Sequence, residues 1–365
     1  MLKNTLLDAL YTVTNTCIQP VLYKVFFFHD VRVRCQTNHP AIMNILDDML
    51  GIFPEPQRIR GEVTYTILCY DNASLFPVPL PPKRIRTETL RLLTNTKLKY
   101  YRDSETPTHY QSYVALPPVN EAALTVIAAD QGIALTQIEM PERYQATFLR
   151  RYVMLLALGQ LMQCYGFEPC HAGTVTAAED SQQGALILGS SGSGKTTLSL
   201  GCAIHGCGLL GDDLVMLRAN EQDGTIGAFA ISHEVSIRSG SLSLFPTLSS
   251  LQAVPADHRD KRYCAIEQVR AGAARMQTCI RLLLFPSLTT APRSTVTPLS
   301  KASTFQALID ECLSRKTLSR QTQEQLFTFL STLADQAEGF RLEIARGAND
   351  GPDIVRSLFA GGRIL

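Results

Sequence analysis

Hydrophobic and polar residues alternate along the first third of the chain in short runs that turn residues interrupt. The runs Val21–Phe28, Glu62–Tyr70 and Ser112–Leu116 have the apolar and β-branched content that is typical of strands. Prolines break the pattern most densely between residues 77 and 82, where we expect a loop. Residues 1–135 are therefore predicted to form a small α+β module, whose role the pattern does not indicate.

From residue 136 onward, segments with helical spacing alternate with short apolar runs. Apolar residues recur at helical spacing between Pro141 and Tyr165, and Gly166 is a typical stop signal. The other predicted helices are Thr197–Ile204, Ser303–Arg315 and Gln321–Ala337, and the predicted strands are Ala172–Thr176, Ala185–Leu188, Leu209–Leu217, Thr225–Ile231, Ile280–Phe285 and Arg341–Ala345. This alternation predicts an α/β fold for a second domain over residues 136–365.

Composition and charge narrow the classes of partner. The 365 residues include 34 basic and 33 acidic side chains, so bulk charge gives no drive toward nucleic acid or an anionic membrane. The ten cysteines form no C-x-x-C pair, and the apolar run Tyr152–Met162 is shorter than a membrane span. We expect a cytoplasmic protein with reduced cysteines that binds neither nucleic acid nor membrane.

The segment after the predicted strand Ala185–Leu188 matches the pattern G-x-x-x-x-G-K-[ST] at every position. It reads Gly189-Ser190-Ser191-Gly192-Ser193-Gly194-Lys195-Thr196, and Thr197 continues into the predicted helix. Glycines allow successive backbone N–H groups to face a phosphate, and the helix start adds its positive end. A lysine here reaches the β- and γ-phosphates, and the following hydroxyl is a magnesium ligand. Residues 189–197 therefore predict a phosphate-binding loop for ATP with Mg²⁺.

Two adjacent acids, Asp212 and Asp213, lie within the predicted strand Leu209–Leu217. One helix, one turn and one strand separate them from Lys195, a connection that returns the chain to the phosphates. Burying two acids in an apolar strand costs free energy unless a metal, a cation or a catalytic role compensates for it. The alternative is that both acids lie at a strand end that faces solvent. Asp212 is the predicted proton acceptor, and Asp213 is predicted to hold Mg²⁺ with Thr196 or to orient the site.

Taken together, these motifs resemble the HPr kinase/phosphorylase family, and more closely the HPr-kinase-related serine kinases. The shared pattern is His171-Ala172-Gly173, the loop 189–196, a helix that ends near Gly206, and an apolar strand into Asp212-Asp213. The resemblance covers about residues 140–365. It implies a P-loop core with a mixed sheet, like that of phosphoenolpyruvate carboxykinase, and phosphorylation of a serine hydroxyl on a protein or peptide. It also implies that His171 lies near the base or the γ-phosphate, and it suggests a homo-oligomer.

The chain departs from that family in one downstream motif. The family's Glu-Ile-Arg-Gly signature is replaced by Ser236-Ile237-Arg238-Ser239, in which Arg238 is retained as a candidate contact to phosphate or substrate. Ser236 occupies the acidic position, and Glu234 would lie on the same strand face. This departure favours a kinase without phosphorylase activity.

Three functions remain open from the sequence. The first is an ATP-dependent kinase of a serine on a small protein or peptide. The second is a small-molecule kinase on the same core, and the third is a non-catalytic nucleotide-binding regulator.

Overall fold

The computed structural model describes residues 22–71, 86–93, 96–102, 108–115, 122–128, 131–144, 146–253, 260–312, 320–347 and 350–361. The chain divides into two compact units, Met1–Phe167 and Glu168–Leu365. The predicted proline-rich loop at residues 77–82 lies outside the described residues.

A mixed eight-stranded sheet is the main feature of the first unit. Its strands are β1 (Leu22–Phe28), β2 (Val31–Thr37), β3 (Gly61–Tyr70), β4 (Arg86–Leu93), β5 (Thr96–Arg102), β6 (Thr108–Ala115), β7 (Ala122–Ala128) and β8 (Ile133–Glu139), and its α-helices are α1 (Pro40–Leu50), α2 (Ala146–Phe148) and α3 (Leu155–Leu161). The strand order is β1-β2-β3-β8-β7-β6-β5-β4. Strand β3 is parallel to β2 and β8, and the other neighbours are antiparallel.

The connection from β2 to β3 shows how the sequence builds this unit. Val31, Val33 and Cys35 alternate onto one face of β2 and are fully buried. Helix α1 buries Ile42 and Leu46 at helical spacing, and its proline at the first turn suits a helix start. A helix between two parallel strands is the usual crossover.

The predicted helix Pro141–Tyr165 is not one regular helix. A 3₁₀ turn at Pro141–Arg143 precedes α2, a π-helical stretch at Leu149–Met154 leads into α3, and a 3₁₀ turn at Met162–Tyr165 follows. Gly166 ends the segment with a φ of +76°, a left-handed conformation that favours glycine. Because the buried side of α3 packs on β7 and β8, the segment belongs to the first unit, and the division follows Phe167 instead of residue 135.

A second mixed sheet forms the centre of the second unit. Its strands are β9 (Glu168–Cys170), β10 (Gly173–Thr176), β11 (Gln183–Ile187), β12 (Gly208–Gly211), β13 (Val215–Ala219), β14 (Ile226–Ala230), β17 (Gln277–Thr289), β18 (Thr295–Leu299) and β19 (Glu338–Ala345), while β15 (Glu234–Arg238) and β16 (Lys261–Ala265) form a separate two-stranded ribbon. The strand order is β12-β10-β11-β17-β14-β13-β9, with β19 beside β17 and β18 beside β19.

Helices cover both faces of this sheet. They are α4 (Lys195–Ile204), α5 (Ser239–Leu244), α6 (Ile266–Val269), α7 (Lys301–Cys312), α8 (Arg320–Gln336) and α9 (Gly351–Phe359), and a 3₁₀ helix spans Pro246–Ala253. One apolar cluster joins one face to α4 and α9 through Leu198 and Val355. Another cluster joins the opposite face to α7 and α8 through Leu308 and Leu330. The second unit is thus a mixed α/β fold, as the sequence predicted.

The segment predicted as one strand, Leu209–Leu217, forms two strands that pair with different neighbours. Strand β12 ends at Gly211 beside β10, and β13 begins at Val215 beside β14 and β9. The chain bends sharply between them, since an ideal Cβ on Gly211 would lie 3.3 Å from the Leu214 carbonyl oxygen. The two acids therefore lie in a bend and not inside a strand.

Candidate active site

Three chain segments meet at one edge of the second sheet. Strands β11 and β12 are both antiparallel to β10, which lies between them, so β11 and β12 run in the same direction. The loop that follows β11, the acids that follow β12 and His171, which precedes β10, are consequently at the same edge. The sequence predicted that the chain returns the acids to the loop, and in the structure β10 lies between the two strands that carry them.

The loop between β11 and α4 has backbone geometry that suits glycine. Gly192 and Gly194 have φ values of +87° and +99°, which other residues rarely adopt. An ideal Cβ on Gly189 would lie 2.7 Å from Ser193 Oγ, so a side chain there would displace Ser193. Helix α4 begins at Lys195 immediately after Gly194. The unpaired N–H groups of its first turn give this edge the positive character that attracts anions.

Lys195 is buried within this loop, with 8% of its surface exposed. Its ammonium group donates hydrogen bonds to the carbonyl oxygens of Gly189 and Ser190. Ser190 and Ser191 are exposed, and Ser193 Oγ has no hydrogen-bond partner within the described part of the chain. The lysine therefore closes the loop on itself, with its charge at the loop's centre.

Asp212 is the carboxylate that lies against the loop. It is 2% exposed, and its Oδ2 accepts hydrogen bonds from Thr196 Oγ1 at 3.1 Å and from Ser236 Oγ at 2.7 Å. The Ser236 backbone N–H donates to its other oxygen at 3.1 Å. The sequence predicted Thr196 and Asp213 as magnesium ligands, and in the structure the acid in contact with Thr196 is Asp212. The reason is that Asp212 is the first residue beyond β12, and its side chain turns toward α4.

Asp213 belongs to a more exposed group of charges. His171 Nδ1 lies 3.1 Å from Asp213 Oδ1 and 2.7 Å from the Asp213 carbonyl oxygen. Lys261 Nζ lies 3.4 Å from Asp213 Oδ2. The Asp213 side chain is 32% exposed, so a bound molecule has access to it, while Asp212 is closed off.

The ribbon of β15 and β16 presents one face to both acids. Ser236 and Lys261 contact Asp212 and Asp213 respectively, and Arg238, two residues beyond Ser236, shares this face. Arg238 is exposed, and Lys261 is its register partner on β16. Thr197 is placed differently from the rest of its loop, since its hydroxyl lies 2.9 Å from Ser241 Oγ on α5.

The sequence did not predict Lys261 as a site residue, because no motif surrounds it. It also did not predict that Ser236 donates hydrogen bonds to Asp212, since Ser236 was considered only as the replacement for an acid. Cys264, on the same ribbon, is not a nucleophile candidate, because burial, with the charges of Asp212 and Glu234 adding to it, raises its pKa to about 11.

Comparison with known proteins gives a distant likeness to a solved structure. No protein-family model matches the chain, and no curated protein matches it. A solved structure of the Hpr(Ser) kinase/phosphatase from Coxiella burnetii is 16% identical over 53% of this chain and 89% of that one, with a TM-score of 0.31. A TM-score this low does not establish a shared fold.

Two features are absent from the ranges that the structure describes. Within these ranges, no group of three or more His, Cys, Asp or Glu side chains is arranged to hold a metal ion. No helix in the same ranges combines the length and apolar character needed to cross a membrane.

Proposed function

We propose that the chain is a kinase that uses ATP with Mg²⁺ to phosphorylate a hydroxyl group, that of a serine on a small protein or peptide. The observation that carries the proposal is the meeting of three groups at one sheet edge. These are the glycine loop with Lys195, the Thr196–Asp212 pair, and the accessible Asp213 beside His171.

The loop fits the phosphates of a nucleotide. Left-handed glycines turn the backbone around a small volume at the start of α4, where N–H groups lack intrahelical partners. Lys195 places a positive charge within that loop, and its hydrogen bonds to loop carbonyls keep the ammonium near the α4 N-terminus. Bound Mg-ATP would supply the phosphoryl group and a divalent charge that offsets its negative charge.

Oxygen donors beside the loop fit a magnesium ion. Mg²⁺ prefers hydroxyl and carboxylate oxygens and completes its shell with phosphate oxygens and water. The Thr196 hydroxyl and Asp212 Oδ2, which are 3.1 Å apart, would provide such a pair. Ser236 would hold the Asp212 carboxylate in place through two hydrogen bonds.

Asp213 is the better-placed proton acceptor. Its carboxylate is accessible, whereas the oxygens of Asp212 already accept three hydrogen bonds in a buried setting. Asp213 would take the acceptor's hydroxyl proton as the new O–P bond forms and the bond to departing ADP breaks. His171 would orient Asp213, and Arg238 and Lys261 would add positive charge beside the transferred group. The preference for serine on a peptide rests on the family pattern of His171, the loop and the two acids.

Asp213→Asn tests the assignment of the base. We expect Mg-ATP binding to stay within twofold of wild type and phosphoryl transfer to fall by about a hundredfold or more. Transfer is measured with labelled ATP on a serine-peptide array and, in parallel, on a panel of small hydroxyl metabolites. Asp223→Asn is the matched control, because Asp223 is an exposed acid that caps the turn before β14.

Testing both peptides and small metabolites as phosphate acceptors also distinguishes among the three functions that the sequence leaves open. Transfer to metabolites without transfer to peptides would replace the peptide substrate with a small molecule. Normal transfer by Asp213→Asn would contradict its role as base. Tight nucleotide binding by the wild type with no transfer to either class would favour a non-catalytic regulator.

A further inference from the structure

Strand β17 continues beyond the end of β11 and runs beside the glycine loop. The register pairs Ile187, the last residue of β11, with Leu284, so residues 285–289 extend past that strand. An ideal Cβ on Gly189 would lie 3.5 Å from the Pro286 carbonyl oxygen. An ideal Cβ on Gly194 would lie 3.3 Å from Leu288 Cδ2. The end of β17 therefore borders the loop from its first glycine to its last.

Leu288 is an apolar side chain on this border, and 42% of its surface is exposed. It lies on the strand face of Leu282 and Leu284, which pack in the core beneath α4. Its register partner on β19 is Ile344, which is partly buried against the same core. The apolar face of these two strands thus reaches the surface beside the start of α4.

The order of the strands indicates in which direction a nucleotide bound on the loop would extend. The acids follow β12 on one side of the loop strand β11, and β17 with β19 lies on the other side. If the γ-phosphate faces the acids, as the proposed function requires, the rest of the nucleotide extends toward the β17–β19 side. A nucleoside is a large, mostly apolar group, and such groups are bound against apolar side chains.

We propose that Leu288 and Ile344 form the nucleoside-binding surface of this site. The inference rests on the proposed function, because it takes the phosphates to lie on the glycine loop. Neither side chain carries a hydrogen-bond donor or acceptor, so this surface adds binding without selecting the base.

Binding titrations with two ligands test this surface. The full-length chain is titrated by calorimetry with Mg-ATP and with Mg-tripolyphosphate, which carries the phosphates but no nucleoside. Leu288→Ala is expected to bind ATP about fivefold more weakly, because the exposed part of one leucine is lost from the contact. Leu288→Asn, which keeps the branched shape of leucine but not its apolar character, is also expected to bind ATP about fivefold more weakly. Both variants are expected to bind tripolyphosphate as wild type does.

Phe327→Ala is the matched control, because Phe327 is an exposed apolar residue of α8 in the same unit. Unchanged ATP affinity in both Leu288 variants, or an equal loss for ATP and tripolyphosphate, would overturn the nucleoside surface while leaving the phosphate loop intact. Absence of binding of either ligand to the wild type would overturn the proposed function, and this inference with it.

Discussion

Asp212 and Asp213 are adjacent in the sequence, yet their carboxylates have different partners. Asp212 is buried against Thr196 and Ser236, and Asp213 faces His171 and Lys261. Both residues lie in the bend between β12 and β13, where the first side chain turns to the loop and the second to His171, just before β10. This separation is the basis for proposing a metal-binding role for one acid and proton acceptance for the other.

Ser236→Ala tests how much the buried carboxylate depends on its neighbours. The change removes an O–H donor 2.7 Å from Asp212 Oδ2 and leaves a buried charge less satisfied. We expect the free energy of unfolding, measured by urea denaturation, to fall by about 1–3 kcal/mol. Ser243→Ala is the control, since that exposed hydroxyl donates to the Ser239 carbonyl within α5. Equal stability of the two variants would show that Ser236 does not stabilise Asp212.

At the scale of single residues, the sequence indicated candidate site residues where these belong to one contiguous segment. Lys195 and Thr196 were predicted as site residues because they belong to a contiguous motif, and the structure places both at the start of α4. Lys261 was missed because its contact with Asp213 depends on the pairing of β15 with β16, which brings distant segments together. Spacing alone does not reveal which of two adjacent acids turns inward, and in the structure Asp212 is the acid that contacts Thr196.

Strand β10 is the element that assembles the site, because it joins the two strands that carry the loop and the acids. Its first residue, Gly173, packs directly on α4, and an ideal Cβ there would lie 2.3 Å from Ser199 Oγ. Ser199 Oγ is buried and has no hydrogen-bond partner in the described ranges. The close approach of strand and helix therefore favours glycine at this position.

Gly173→Ala is expected to destabilise the second unit by overpacking. The added methyl group must displace Ser199, which costs about 1–3 kcal/mol of unfolding free energy. In a Ser199→Ala background, Gly173→Ala should lower the free energy of unfolding by less than half as much, because the obstructing hydroxyl is gone. Removing that hydroxyl breaks no hydrogen bond among the described residues. A double-mutant cycle in urea measures this coupling. The same cost in both backgrounds would show that the strand–helix contact is not the constraint.

Among the elements, strongly patterned segments were predicted well and irregular ones were not. Helix α4 and strands β3, β10, β11 and β14 lie within a few residues of their predicted bounds. The break between β12 and β13 was missed because both halves are apolar. The π-helical stretch in the predicted helix Pro141–Tyr165 was also missed, since helical spacing does not distinguish helix types.

At the scale of the whole molecule, the chain forms two compact units, and the candidate site lies within the second. The predicted boundary was too early because the helical spacing after residue 136 did not show which sheet the helix packs against. Within the second unit, acids lie on one side of the glycine loop and apolar side chains on the other. This arrangement would suit one elongated ligand with a charged end and an apolar end.

Equilibrium binding of Mg-ATP to wild type and to Lys195→Ala tests the central claim most directly, with Lys24→Ala as the control for loss of a lysine outside the loop. We expect the wild type and Lys24→Ala to bind equally. Lys195→Ala is expected to bind at least about thirtyfold more weakly, because a charge-assisted contact to phosphate contributes about 2 kcal/mol. A wild type that does not bind Mg-ATP, or a Lys195→Ala variant that binds it equally well, would contradict the account.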